Sequence, residues 1–220
     1  MAKVEAVLFD LDGTLLNSLD DLADAANYAL FARGHKTHET EKYKYFVGNG
    51  VRVLMERIIP KERGTEEEIE ATLEIYCEYY GKHSLDKSKP YDGITDLLKS
   101  LNGMGIKCAV VTNKPIEQAA FIIEKYFGKL FDFVSGGREG VPLKPAPDMA
   151  NLALSELGVS PENAFFLGDT KMDMQTAAAC GAIPVGVLWG FRQRAELTEN
   201  GAVHIISQPL ELLNLINTRR

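Results

Sequence analysis

Short apolar, β-rich runs alternate along this chain with stretches of helical periodicity, and that alternation restricts the fold more than any other feature. The runs lie at residues 4–9, 106–112, 131–135, 164–167, 183–187 and 204–206. Helical patterns fall between them near 93–102, 115–126, 146–157, 172–180 and 209–217. Strand followed by helix, repeated, predicts an α/β fold: a parallel sheet with helices on both faces. The runs "AVLF" and "CAVV" carry no polar alternation, as expected of strands covered on both sides. In such a sheet, ligands bind outside the carboxyl ends of the strands.

One segment breaks the alternation. Between residue 16 and residue 86 the sequence offers helical material and no convincing strand. Ser18 reads as an N-cap, with Asp20 and Asp21 favourable in the first turn. Leu19, Leu22, Ala23, Ala26, Ala29 and Leu30 then keep helical spacing. "RGHKTHET" reads as a loop and "VGNG" as a turn, followed by Val51, Leu54, Met55 and Ile58 on one helical face. Pro60 and Gly64 interrupt before the acidic helix "TEEEIEATLEIYCEYYG". The expected organisation is a core of residues 1–15 and 87–220, with a helical insertion at 16–86.

A net charge of −7 without a basic block argues against nucleic acid or an anionic membrane as the main partner. Cys77, Cys108 and Cys180 are far apart and form no metal-ligand spacing with the four histidines, which predicts free thiols in a reducing compartment. The amino-terminal apolar run stops at Asp10, and no later run approaches the roughly 18 apolar residues of a membrane span. A cytoplasmic protein, monomer or homodimer, is expected.

Polar groups gather where the predicted strands end. The first run ends on Asp10, with Asp12 two residues on, so extended geometry would turn both to one side. Gly13 allows a sharp turn and Thr14 offers a hydroxyl. The second strand ends in Thr112, Asn113 and Lys114; Lys144 follows the third, braced between prolines; the fourth ends in Gly168 and Asp169, with Asp173 four residues further. Each has an ordinary reading: turn former, helix cap, surface lysine. Together, in order and each at a strand end, they predict four carboxylates converging with an ammonium. Two bare carboxylates about 4 Å apart repel by roughly 4 kcal/mol at an effective dielectric of 20, so such a cluster calls for a cation. Oxygen ligands without histidine or cysteine point to a hard ion, most simply Mg²⁺. A carboxylate flanked by a metal, a lysine and a hydroxyl can serve as nucleophile toward a phosphoryl group.

On these residues the chain resembles the haloacid dehalogenase superfamily. "DLDGT" at 10–14 is similar to its first motif, Thr112 to the second, Lys144 in "KPAPD" to the third, and "GDTKMD" at 168–173 to the fourth. The resemblance implies a Rossmann-like core with an α-helical cap inserted after the first motif. It implies that Asp10 becomes an aspartyl-phosphate, and that Asp12 protonates the leaving alcohol and then deprotonates the hydrolytic water. Thr112, Asn113 and Lys144 would bind the phosphoryl group. Mg²⁺ would be held by Asp10, the backbone carbonyl of Asp12, and Asp169, with Asp173 behind them. Dehalogenases lack the second aspartate and need no metal, so Asp12 places the likeness with the phosphatases, acting on a small phosphorylated metabolite.

Within those, "VGNGVRVLMER" at 47–57 and the tail at 190–213 resemble the phosphoglycolate phosphatase subfamily. Asn17, where many members carry Asp, and Arg138, where acidic residues are common, depart from the pattern. An inorganic pyrophosphatase, a sugar-phosphate phosphatase and a hexose-phosphate mutase share much of it. Outside catalysis, a phosphate-binding regulatory protein would retain the scaffold. Hinges near 15–17 and 85–90 would let the insertion gate the site. Gly48 and Gly50 could offer backbone N–H groups to an anion, though a plain turn explains them equally; Arg52 and Arg57 could meet a substrate carboxylate, though long basic side chains on a helix are usually just solvated.

Overall fold

The computed structural model describes residues 3–219. The chain divides into two compact units, Asn17–Lys89 and the remainder, up to Leu16 and from Pro90 onward. Its strands are β1 (Ala6–Phe9), β2 (Leu16–Asn17), β3 (Lys89–Pro90), β4 (Lys107–Pro115), β5 (Phe133–Gly137), β6 (Ala164–Gly168), β7 (Ile183–Val187) and β8 (His204–Ile206).

In the larger unit six strands form one sheet in the order β5-β4-β1-β6-β7-β8, and every pairing is parallel. β1 lies near the middle, with Leu8 opposite Ala109 on one side and Phe166 on the other. All four residues of β1 are fully buried, which accounts for the unbroken apolar run "AVLF". Helices Ile94–Gly103, Ile116–Phe127, Asp148–Leu157 and Lys171–Cys180 follow β3, β4, β5 and β6 respectively. Leu8, Val111 and Phe166 form one core cluster with Met149, Ala153 and Ala177. Burying a side chain such as Phe166 contributes about 1.5–3 kcal/mol. The small alanines let the helices approach the sheet closely. Cys108 is buried and free, as its apolar setting predicts.

The second long strand differs from expectation at its end. It continues past Thr112 to Pro115, with a register irregularity after Val111, so Thr112, Asn113 and Lys114 lie within its last turn of extended chain. Pairing resumes at Pro115 opposite Gly137, which keeps the backbone extended beyond the apolar run that the sequence marks.

The smaller unit is built from helices Leu19–Ala32, Thr40–Phe46, Val51–Ile58 and Glu66–His83. Leu22, Ala26, Leu30, Met55, Tyr76 and Tyr80 are buried. Ser18 occupies the N-cap of the first helix, but its side chain makes no capping hydrogen bond there. Thr65 does cap the last one, its hydroxyl accepting from the Glu68 N–H at 3.2 Å. The helix Thr40–Phe46 lies outside the periodic signal, because Tyr43 is its single buried residue. Among the described residues, no helix is long and apolar enough to cross a membrane.

Candidate active site

Asp10 leaves β1 directly, its N–H donating to the Leu167 carbonyl of the neighbouring β6 at 2.9 Å. That bond carries sheet pairing one residue past the strand and fixes where the carboxylate emerges. Asp169 follows β6 immediately, and Asp173 lies on the first turn of the next helix. Asp10, Asp169 and Asp173 are all buried, and each presents a carboxylate oxygen within 4.8 Å of the others.

Lys144 is the cation in this group. Its Nζ lies 2.7 Å from Asp10 Oδ1 and 2.7 Å from Asp173 Oδ1, and it donates to the Val111 carbonyl at 3.0 Å. Asn113 holds the lysine's backbone: Lys144 N–H donates to Asn113 Oδ1 at 2.7 Å, and Asn113 Nδ2 donates to the Lys144 carbonyl at 3.2 Å. The asparagine expected to face a phosphoryl group is therefore engaged in seating Lys144. Thr112 is buried beside it, and its Oγ1 accepts from Lys114 N–H at 3.2 Å.

Asp173 is engaged through both of its carboxylate oxygens. One oxygen receives Lys144; the other accepts from Thr170 N–H at 2.9 Å and Thr170 Oγ1 at 2.7 Å, tying down the start of the helix. Asp169 accepts from Thr14 Oγ1 at 3.2 Å and from Phe191 N–H at 2.7 Å. Glycines make room for these acids. A Cβ on Gly168 would lie 2.0 Å from that of Asp173, and one on Gly13 would lie 2.4 Å from Asp169 Oδ2. Gly13 also has φ of +90°, which a side chain would strain.

Asp12 stands apart from this acidic group and pairs with Lys114, whose Nζ lies 2.8 Å from its Oδ2. The sequence marks Lys114 only as one of three polar groups at a strand end. Its partner lies 102 residues away, and no local feature of the sequence points to that pairing. Phe191 is buried, whereas Trp189 is half-buried with its indole N–H donating to the Thr14 carbonyl at 2.9 Å.

Electrostatics shows what the acids lack. Burial pushes Asp10 up to about 7; Lys144 opposes this, while Asp173 and Asp12 add repulsion. Burial likewise raises Asp169 well above the usual carboxylate range, reinforced by Asp173 and Asp10. For Lys144, burial alone would favour the neutral amine, but Asp10 and Asp173 outweigh it and raise its pKa. Lys144 thus serves two of the three acids and leaves Asp169 without a lysine partner, and a bound divalent ion would lower the proton affinity of its ligands. The donor set is all oxygen, buried and closely spaced, which fits a hard cation.

In the helical unit, the arginines of interest engage their own neighbours. Arg57 donates to the Phe46 carbonyl at 2.8 Å and to Asn49 Oδ1 at 2.9 Å, bracing the turn in which Gly48 and Gly50 have φ of +106° and +89°. Arg52 pairs with Glu56, Glu66 and Glu70. Arg138 is exposed.

A parallel sheet with acids at the carboxyl ends of its central strands, one lysine among them and a helical insertion after the first strand defines a hydrolase class. The sequence profile of the haloacid dehalogenase-like hydrolases matches residues 7–187, and the chain belongs to that family. It is 33% identical over 213 residues to phosphoglycolate phosphatase 1 of Pseudomonas aeruginosa, covering 94% of this chain and 78% of that one. With phosphoglycolate phosphatase of Escherichia coli K12 it shares 31% identity over 234 residues, covering 97% and 90%. A crystal structure from Lactobacillus delbrueckii subsp. bulgaricus superposes with a TM-score of 0.92 at 35% identity, covering 97% of this chain and 98% of that one.

Proposed function

We propose that this enzyme is a Mg²⁺-dependent phosphatase of small phosphate monoesters, acting through Asp10, with 2-phosphoglycolate as its substrate. The reading is carried by one observation: Asp10, Asp169 and Asp173 converge at the end of the central strands, with Lys144 paired to Asp10 and Asp173. The substrate is supported by the names of relatives at 31–33% identity that align along nearly the whole chain.

Asp10 is the nucleophile. It attacks phosphorus, the ester bond to the leaving oxygen breaks, and an aspartyl-phosphate forms on Asp10. Asp12 gives its proton to the departing alcohol and then takes one from the water that hydrolyses the aspartyl-phosphate. Lys114 holds the Asp12 side chain for both transfers. Lys144 and the Thr112 hydroxyl meet the transferring phosphoryl oxygens, where positioning and charge neutralisation supply most of the catalysis. Asp10, Asp169 and the Asp12 backbone carbonyl would hold Mg²⁺, with Asp173 supporting the site through Lys144. When bound, the ion offsets negative charge on the acids and on the phosphoryl group. The helical unit, read as residues 16–86, serves as the family's cap.

The test is release of inorganic phosphate across a panel holding 2-phosphoglycolate, sugar phosphates and pyrophosphate, with Mg²⁺ and with EDTA. The reading expects Mg²⁺-dependent release, fastest from 2-phosphoglycolate. Equal release in EDTA contradicts the metal, and preference for pyrophosphate contradicts the substrate.

A further inference from the structure

The segment following β7 touches the site at three consecutive residues. Trp189 donates its indole N–H to the Thr14 carbonyl at 2.9 Å. Phe191 donates its backbone N–H to Asp169 Oδ2 at 2.7 Å. Between them, Gly190 fits so closely that a Cβ there would lie 2.3 Å from the Asp169 Cβ and 2.4 Å from the Gly13 carbonyl oxygen. The segment therefore grips the loop after Asp10 with one residue and Asp169 with another, and its middle residue fills the space separating them. Thr14 Oγ1, donating to Asp169 Oδ1 at 3.2 Å, completes the circuit.

Packing alone is a poor account of Trp189. Its ring is half-buried and lines an open cleft of about 510 Å³ with Tyr91, Gly93, Gln208, Pro209 and Leu210. A residue present only to fill a core would not be left along a cleft wall. The polar tip does what the ring does not: it satisfies a carbonyl in the turn that follows the nucleophile. Tyr91, on the same wall, reaches that turn too, its N–H donating to the Leu15 carbonyl at 3.1 Å.

We propose that Trp189 and Gly190 are positioning residues, which set the placement of Asp169 against the loop carrying Asp10 and Asp12 and so fix the affinity for Mg²⁺. The inference rests on the metal reading given above. Partners that orient metal ligands typically govern affinity by 10- to 100-fold. Trp189→Phe keeps an aromatic ring and removes the donor, while Gly190→Ala drives a methyl group against Asp169.

Isothermal titration with Mg²⁺ tests this, alongside the melting temperature of each metal-free protein. In Trp189→Phe, Mg²⁺ dissociation should weaken about tenfold, with little change in the melting temperature. Gly190→Ala should weaken it further; Trp189→Phe decides alone if the alanine variant does not fold. A merely structural role predicts the reverse, a lower melting temperature with unchanged Mg²⁺ affinity, and that result overturns the proposal. Wild-type protein that binds no Mg²⁺ overturns the metal reading itself, an outcome distinct from equal binding by wild type and variant.

Discussion

Lys114 Nζ lies 2.8 Å from one carboxylate oxygen of Asp12 and 3.1 Å from the other, so the second aspartate of "DLDGT" is gripped through both oxygens. The lysine side chain is 3% exposed and the aspartate 20%, which makes the pair an inner feature of the core unit. It separates the two aspartates by partner: Lys144 belongs to Asp10, and Lys114 to Asp12. A device that keeps neighbouring carboxylates from competing for one cation has consequences that mutagenesis can read.

Lys114→Met removes the partner and retains the length and apolar stem of the side chain. With Asp12 no longer oriented, kcat should fall at least tenfold, part of the 10²–10⁴-fold that a positioned acid–base group supplies. KM should change little. Steady-state kinetics on the best substrate checks this, and an unchanged kcat removes Lys114 from the account.

Lys144→Met should damage stability as well as activity. The lysine is the cation between two buried acids, and breaking a buried ion pair by removing one partner costs about 3–5 kcal/mol. Urea unfolding without metal should show that loss. Mg²⁺ should restore part of it, because an ion that binds only the folded chain stabilises it by mass action.

Gly168→Ala places a methyl group where the Asp173 side chain already stands, with a Cβ separation of 2.0 Å. Asp173 anchors Lys144 and Thr170, so its displacement should reach the whole acidic group. Expected are a loss of about 1–3 kcal/mol from overpacking and a larger proportional loss of kcat. Denaturation and kinetics on the same preparation measure both.

Acid should weaken the helical unit through one residue. Glu68 is held down to about 2, first by its hydrogen bonds from Arg33, with His35 adding to the effect. A depressed carboxyl contributes stability in full above its unfolded value, near 4.5, and loses it as pH falls toward 2. The helical signal of Glu68→Gln should therefore melt lower than wild type at pH 7. The difference should shrink between about pH 4.5 and 2. A difference that persists unchanged at pH 2 refutes the assignment.

Much of this was legible in the sequence, for reasons that particular residues make plain. The strands were visible because a sheet covered on both faces needs unbroken apolar runs such as "AVLF", and glycine and acids interrupt those runs sharply. Asp10, Asp169 and Asp173 were visible because acids beside buried strands are costly. Asp173 anchors both a helix start and Lys144. What stayed hidden depends on pairings remote in sequence. Nothing local tells that Asn113 clasps the backbone of Lys144, or that Lys114 reaches Asp12 across 102 residues. The extension of β4 to Pro115 was hidden because a register irregularity leaves no trace in composition. Arg52 and Arg57 looked available for a ligand because helix charge patterns do not reveal that Glu66, Glu70 and the Phe46 carbonyl engage them.

Phosphate release by Asp10→Asn is the most direct measurement of the central claim. The substitution keeps the side chain's shape and removes its nucleophilic carboxylate, so in saturating Mg²⁺ and 2-phosphoglycolate the variant should fold, melt near the wild-type temperature and release no phosphate above background. Release at the wild-type rate from that folded variant would contradict the account.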